Sequence, residues 1–238
     1  RSMDVFKLVG TPDKVRIRFL KEDVEGKPIF VSEFPVVNDA VFAEQMPIIR
    51  KDVSLFTFYR AKKGQKFAES SDGGKTWNLG GYYPMQFSIN TKCILKTLPS
   101  GRVLLVANDV QMKEKSRRNR YFYTDEYGKE HELKKHKTAR TRMTAYLSDD
   151  DGKTFTHRML LCDEGQISYP SATLGNDGSI YIVYDQGRGT IGQHTIFLSK
   201  ITEEDILEGK IVKGESFLNN IVSRPSDQGG GRREGDRI

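Results

Sequence analysis

The sequence predicts an all-β protein built as a β-propeller. Three observations carry that prediction. Short runs alternate large apolar with polar residues, as in Leu55–Arg60 and Ile180–Asp185, which is the period of strands. One polar turn, Ser-x-Asp-x-Gly-x-Thr-aromatic, occurs twice: at Ser70, Asp72, Gly74, Thr76 and Trp77, and at Ser148, Asp150, Gly152, Thr154 and Phe155. The copies stand 78 residues apart, or about 50 once a charged insertion at about 111–138 is set aside. A unit of about 50 residues made of four short strands is a propeller blade, and a sandwich or barrel does not predict that recurrence.

The chemistry of the turn explains its residue types. Ser and Asp oxygens bond turn amides, and Gly accepts positive φ. Thr and the aromatic then re-enter a strand, with the ring facing a core. These residues are expected to be structural rather than catalytic.

Taken in order, Val5–Val9 and Val15–Leu20 read as strands split by Thr11-Pro12-Asp13. Asp23, Gly26, Lys27 and Phe30 follow the order of the polar turn with disturbed spacing, as a degenerate copy, and 31–37 is extended. The first clear repeat lies within 42–77, with Leu55–Arg60 and Lys66–Ser70 as its strands. A second holds Cys93–Leu98, Arg102–Asn108 and Met143–Leu147, and a third Tyr169–Leu174, Ile180–Asp185 and Thr195–Lys200. Gly187, Gly189 and Gly192 mark a loop. At the third repeat's turn position Thr202 reads as a helix N-cap with Asp205 as its third-position acid. Ile211-Val212 and Phe217–Val222 are strand-like, and 226–238 is a Gly-rich charged tail with the composition of a flexible segment. The domain expectation is therefore blades over 1–225 and a tail over 226–238.

Of the 238 residues, 29% are charged and 37% hydrophobic, which suits a soluble globular domain. No apolar run approaches the roughly 20 residues of a membrane span. Cys93 and Cys162 read as buried free thiols, and with no metal-type spacing among Cys and His neither a metal site nor a cofactor is expected. The net charge of +6 is concentrated: residues 113–142 hold eleven Lys or Arg against five acids. Tyr121, Phe122, Tyr123 and Tyr127 interleave there, a pattern compatible with acidic polymers; read from composition alone the segment is a solvated loop. Nucleic acid is not the expected partner.

The twin polar turn resembles the Asp box of BNR-repeat, sialidase-like propellers. The resemblance runs over about 42–212 and is carried further by FAEQM at 42–46, FYR at 58–60, RTRMTAYLS at 140–148 and SYPSATLGNDGSIYIVYD at 168–185. It implies an exo-α-sialidase-like glycosidase, a fold of six blades of which this chain supplies about four, and a secreted or periplasmic location. The shortfall in repeats leaves two readings, a chain that lacks N-terminal blades or one that closes differently, and the match of its C-terminal end to the family favours the first. Sialidases use a Tyr nucleophile in place of a carboxylate, because a carboxylate beside the reacting carbon would repel an anionic nucleophile.

Carried over by that resemblance, Tyr169 is the nucleophile, Glu44 its partner base, and Arg60 and Arg140 bind the substrate carboxylate. Arg142 competes with Arg140, since alternate strand residues share a face. Each also has a structural reading, Tyr169 as a blade-edge tyrosine and the charged residues as solvated loop or strand ends. The family's first Arg and its acid have no counterpart in 1–40. The expected partner is a terminal sialic acid or related acidic sugar. The alternatives are a non-catalytic carbohydrate-binding propeller, or a binder of acidic polymers through the insertion.

Overall fold

A computed structural model describes residues 6–9, 16–35, 40–42, 44, 47–84, 90–112, 120–125, 127–133, 140–187, 194–212 and 214–224. They form antiparallel sheets that follow one another along the chain. The first sheet pairs β1 (Phe6–Val9), β2 (Arg16–Glu22) and β3 (Pro28–Phe34). The second holds β4 (Ala40–Phe42), β5 (Ile48–Ile49), β6 (Leu55–Ala61), β7 (Gly64–Ser70) and β8 (Asn78–Tyr82). Here β4 and β5 both pair with β6, as two halves of one interrupted edge strand.

The third sheet is made of β9 (Ile94–Thr97), β10 (Val103–Asn108), β14 (Met143–Ser148) and β15 (His157–Cys162). Between β10 and β14 the charged insertion folds its own small sheet from β11 (Gln111–Met112), β12 (Tyr121–Thr124) and β13 (Glu130–Glu132). Composition alone reads this segment as a loop. Its cross-strand Tyr123–His131 stack, with ring centroids 5.0 Å apart, supplies packing that the charge count hides. The fourth sheet is β16 (Ile167–Leu174), β17 (Ile180–Gln186), β18 (Thr195–Ile201) and β19 (Phe217–Ser223).

Each core lies between consecutive sheets. Phe34 of the first packs on Tyr59 and Trp77 of the second. Phe56, Phe58 and Tyr83 of the second meet Leu105, Tyr146 and Phe155 of the third. Leu104, Leu147 and Leu161 of the third meet Ile180, Ile182 and Phe197 of the fourth. Strands buried on both faces explain why β6, β10 and β14 are apolar almost throughout.

Both Asp boxes connect the third and fourth strands of their sheets, and their bonds match residue for residue. The Ser70 and Ser148 hydroxyls accept from the amides of Gly74 and Gly152, both at 2.9 Å. They donate to Asp72 and Asp150 at 2.8 and 2.7 Å. The two carboxylates accept from the amides of Thr76 and Thr154 at 2.9 and 2.8 Å, and from both Thr hydroxyls at 2.7 Å. Each box is also gripped by the preceding sheet. Ser32 Oγ donates to the Gly74 carbonyl, and the Tyr83 hydroxyl faces the Gly152 and Lys153 carbonyls at 2.8 and 2.5 Å.

The segment at Asp23 is a different turn. Asp23 accepts from the amides of Glu25 and Lys27, both at 2.8 Å, and its backbone closes a five-residue hairpin onto Lys27. Lys21 stands where a box would need Ser, so no hydroxyl cradles the turn. The same backbone closure recurs at 50–54, 98–102, 125–129 and 175–179. The fourth residue takes positive φ each time: Gly26, Val53, Gly101, Gly128 and Gly178. The resemblance to a degenerate box therefore comes from a hairpin that also wants Asp and Gly.

In the fourth sheet helix α1 (Glu203–Glu208) replaces the box, with Thr202 and Asp205 forming the expected capping box. The fully buried Asp205 accepts from the amides of Thr202 and Val212 at 2.8 and 2.7 Å and from Ser216 Oγ at 2.5 Å. Ile211 and Val212 are not a strand: Val212 spends its amide on Asp205 instead of a ladder. The loop glycine positions 189 and 192, the tail 226–238 and residues 36–37 lie outside the described residues.

Candidate functional site

The expected site residues come from equivalent places in three consecutive sheets. Glu44 sits in the interruption between β4 and β5, the first strand of its sheet. Tyr169 sits in a bulge of β16, the first strand of its own. Arg60 lies near the end of a second strand, as does Asp185, which is not among the expected residues, and Arg140 lies shortly before a third. In antiparallel sheets all these places share one end, the one opposite the Asp boxes.

Arg60 and Glu44 form one half of the site. Phe42 pairs with Arg60 across the strands, and Glu44, just past the end of β4, reaches the guanidinium, Oε2 to Nη1 at 2.6 Å. Arg60 is only 3% exposed. Its Nε donates to Asn90 Oδ1 at 2.9 Å and its Nη2 to the Asn90 carbonyl at 3.2 Å. Gln65 Nε2 donates to the carbonyl of Thr91 at 2.5 Å. The segment 90–93 is thereby fixed, with Cys93 buried beneath it. Burial, and then the charge of Glu44, push the Cys93 thiol up to about 12, which excludes it as a thiolate nucleophile at neutral pH. Both cysteines are free and buried.

Tyr169 and Arg140 form the other half. Tyr169 has φ of 53°, and Gln166 three residues before has 62°. A Tyr ahead of a proline ordinarily takes extended backbone, so this is a strained position of the kind that clusters at functional sites. Arg140 Nη1 donates to Ser168 Oγ at 2.9 Å, and Ser168 Oγ donates to Asp185 Oδ1 at 2.9 Å. The Arg140 guanidinium carbon lies 5.6 Å from the centre of the Tyr169 ring. Asn108, fully buried, ties the two arms together by donating to the carbonyls of Thr141 and Ile167 at 2.8 and 3.0 Å.

The halves meet through Lys92. Its Nζ lies 5.8 Å from the centre of the Tyr169 ring, while its neighbour Asn90 is held by Arg60. Sequence reasoning misses Lys92, Asn90, Ser168 and Asp185. Only Asp185 leaves a trace, as an acid ending the apolar alternation of β17.

Arg142 does not belong here. The expectation that it shares a face with Arg140 assumes a strand, but β14 begins only at Met143 and Arg142 has φ of 52°. It turns to the insertion, with its guanidinium 3.8 Å from the Tyr123 ring centre and Nη1 3.4 Å from Asp163. His131, stacked on that ring, bonds Asp125 at 2.7 Å. A cleft of about 620 Å³ lies between the insertion's turn at Asp125 and Gly128, the second Asp box and the end of α1. None of Tyr169, Glu44, Arg60 or Arg140 lines it, so cleft and expected site do not coincide. Among the described residues no group of three or more His, Cys, Asp or Glu could hold a metal ion, and no helix is long and apolar enough to cross a membrane.

Residues 36–182, more than half of the chain, match the model of the BNR repeat-like domain. The chain belongs to that family. The match covers both boxes and Glu44, Arg60, Arg140 and Tyr169, ends before Asp185, and is to the repeat family as a whole, with no assignment to sialidases. No curated protein matches the sequence. Among solved structures, the BNR repeat-like chain is similar to an exo-β-1,3-galactanase of Phanerochaete chrysosporium, at TM-score 0.54 and 6% identity, over 91% of this chain and 49% of that one. It also matches an α-L-arabinanase of Penicillium chrysogenum, at TM-score 0.48 and 15% identity over 79% and 52%. An endo-arabinase of Bacteroides thetaiotaomicron matches at TM-score 0.47 and 11% identity over 92% and 82%. The likeness to the galactanase is one of fold, a propeller-like array of antiparallel sheets. The chain spans about half the length of the galactanase and of the Penicillium enzyme.

Proposed function

We propose that this chain is a glycoside hydrolase of the sialidase-like kind, or part of one, acting on a terminal acidic sugar. In this reading 1–225 are propeller blades, about four of a ring of six. The observation that carries it is Tyr169, held at positive φ on a strand bulge with Arg140 and Lys92 over its ring. Tyr169 Oη attacks the anomeric carbon while Glu44 takes its proton, and the glycosidic C–O bond breaks. Water then releases the sugar from the tyrosyl intermediate. A phenolic aglycone leaves as its anion, so a fluorogenic substrate needs no acid from the protein. A natural glycan also needs a proton donor for its leaving oxygen.

The second reading is a carbohydrate-binding propeller without turnover. The commitment of the Glu44 carboxylate to Arg60 at 2.6 Å favours it. Hydrolysis of an umbelliferyl sialoside, with umbelliferyl arabinofuranoside and galactoside beside it, separates the readings. The sialidase-like reading expects sialoside turnover, reduced about a thousand-fold or more in Tyr169→Phe, some 4 kcal/mol of barrier. Sugar binding with no turnover in either protein leaves the binding module. Turnover of a neutral glycoside alone keeps a glycosidase and removes the acidic sugar.

A further inference from the structure

We propose that Lys92 and Arg140 together take the anionic group of the ligand, and that Arg60, which the sequence suggests for that role, does not. This rests on the sugar-site reading above and names the residues and the ligand chemistry of that site.

Arg60 is already engaged. Nε, Nη1 and Nη2 each meet a protein oxygen, its charge is matched by Glu44 at 2.6 Å, and it is 3% exposed. A ligand carboxylate could reach it only by expelling Glu44, which would leave that carboxylate buried without its cation. Arg60 is thus the brace that fixes segment 90–93, and Lys92 is the residue this brace presents.

Lys92 and Arg140 differ from Arg60 in the same respect. Both are half-buried, and among the described residues neither has a carboxylate partner. By contrast, Arg50, Arg102, Arg142 and Arg158 are each ion-paired. The two cationic heads share one ring, at 5.8 and 5.6 Å from its centre, so they lie no farther apart than the sum of those distances. An anion beside the ring offsets their mutual repulsion.

The backbone that carries each cation is tied down before any ligand arrives. Asn90 and Thr91 are bonded to Arg60 and Gln65, and the Arg140 carbonyl accepts from the Ile167 amide at 2.9 Å. Preorganised cations on rigid segments lose little entropy on binding. Asp185, held behind Ser168, offsets part of the charge, which fits a single carboxylate better than a phosphate. The ligand class is therefore a sugar carrying one carboxylate, a sialic or uronic acid.

The test is calorimetric titration of the 238-residue chain with N-acetylneuraminic acid, galacturonic acid and neutral galactose, using wild type, Lys92→Met and Lys92→Arg. The expected result is a preference for at least one acidic sugar, weakened about tenfold or more in Lys92→Met, the loss of one charge-assisted contact. Lys92→Arg recovers most of it, and the melting temperatures agree. Arg140→Met is expected to weaken the same sugar without changing the weak response to galactose. An acidic-sugar preference that survives Lys92→Met overturns the grip and leaves the sugar-site reading standing. Equal affinity for galactose overturns the grip alone. No binding of any sugar by wild type overturns both.

Discussion

The two ends of these sheets are built on different rules. At the Asp-box end the internal bonds of each turn span two to four residues, and the two copies agree to within 0.1 Å in their matched bonds. At the other end the bonds join residues far apart in sequence: Arg60 to Asn90, Arg140 to Ser168, Asn108 to Ile167. Positive φ falls there on Arg142, Gln166 and Tyr169 as well as on Gly64 and Gly187, and at the box end it falls on Val53 and Asp151 as well as on glycine. One end is a repeated local device that holds sheets together. The other is assembled once, from several sheets, and holds a tyrosine strained ahead of a proline and a buried Arg60–Glu44 pair.

The contrast breaks if the box end proves dispensable. Phe155 is buried against Tyr83 of the preceding sheet, ring centres 6.3 Å apart. Phe155→Ala should cost about 3–5 kcal/mol, lowering the melting temperature by about 10 °C in a chain of this size. Sugar affinity measured well below that temperature should be unchanged. An equal loss of affinity would mean the two ends are not separable.

Asn108 probes the other end. Removing its two donated bonds in Asn108→Ala leaves the carbonyls of Thr141 and Ile167 short of partners inside the protein, worth about 1–3 kcal/mol. Here stability and site should fall together, because those carbonyls flank Arg140 and Ser168. Hydrogen exchange at 140–142 and 166–168 should quicken while exchange at 150–154 does not.

Val53 sharpens the comparison from the opposite sign. It takes the fourth place of the recurrent hairpin with φ of 61°, where the other four copies have glycine. A β-branched residue is strained there, and Val53 is 77% exposed with little packing to lose. Val53→Gly should raise stability by about 1 kcal/mol, read as a higher urea midpoint with unchanged slope. A fall would mean that strain off the site end is not simply tolerated.

The same division explains what was legible in the sequence. The boxes, the strands and the capped helix at Thr202 could be read because each is specified by residues within a few positions. Asp23 misleads because two turns share Asp and Gly; the hairpin has Lys21 in place of the box's Ser, carries its Gly one position later at Gly26, and has Lys27 where the box has Thr. Arg142 misleads because its pairing with Arg140 on one face needs a strand reaching back to 140, three residues before β14 begins. Lys92 and Asn90 are invisible because nothing local distinguishes them; they matter only once Arg60 and Tyr169, from different sheets, are brought to either side.

The smallest effect lies in the titration of the box itself. Hydrogen bonds from the Thr76 amide, and then from the Thr76 and Ser70 hydroxyls, hold Asp72 down at about 2 against 3.8 for the free side chain. Unfolded chains therefore take up this proton first as pH falls. The contribution is complete above about pH 4 and is lost between there and pH 2. In the second box burial opposes the shift of Asp150, and the bonds from Thr154 and Ser148 outweigh it. Asp72→Asn keeps an oxygen for the Thr76 amide but has no proton to titrate. Urea midpoints of wild type and Asp72→Asn should therefore differ most at pH 5 and converge toward pH 2. A gap that stays constant with pH would show that the charge of Asp72, as distinct from its shape, adds nothing to the turn.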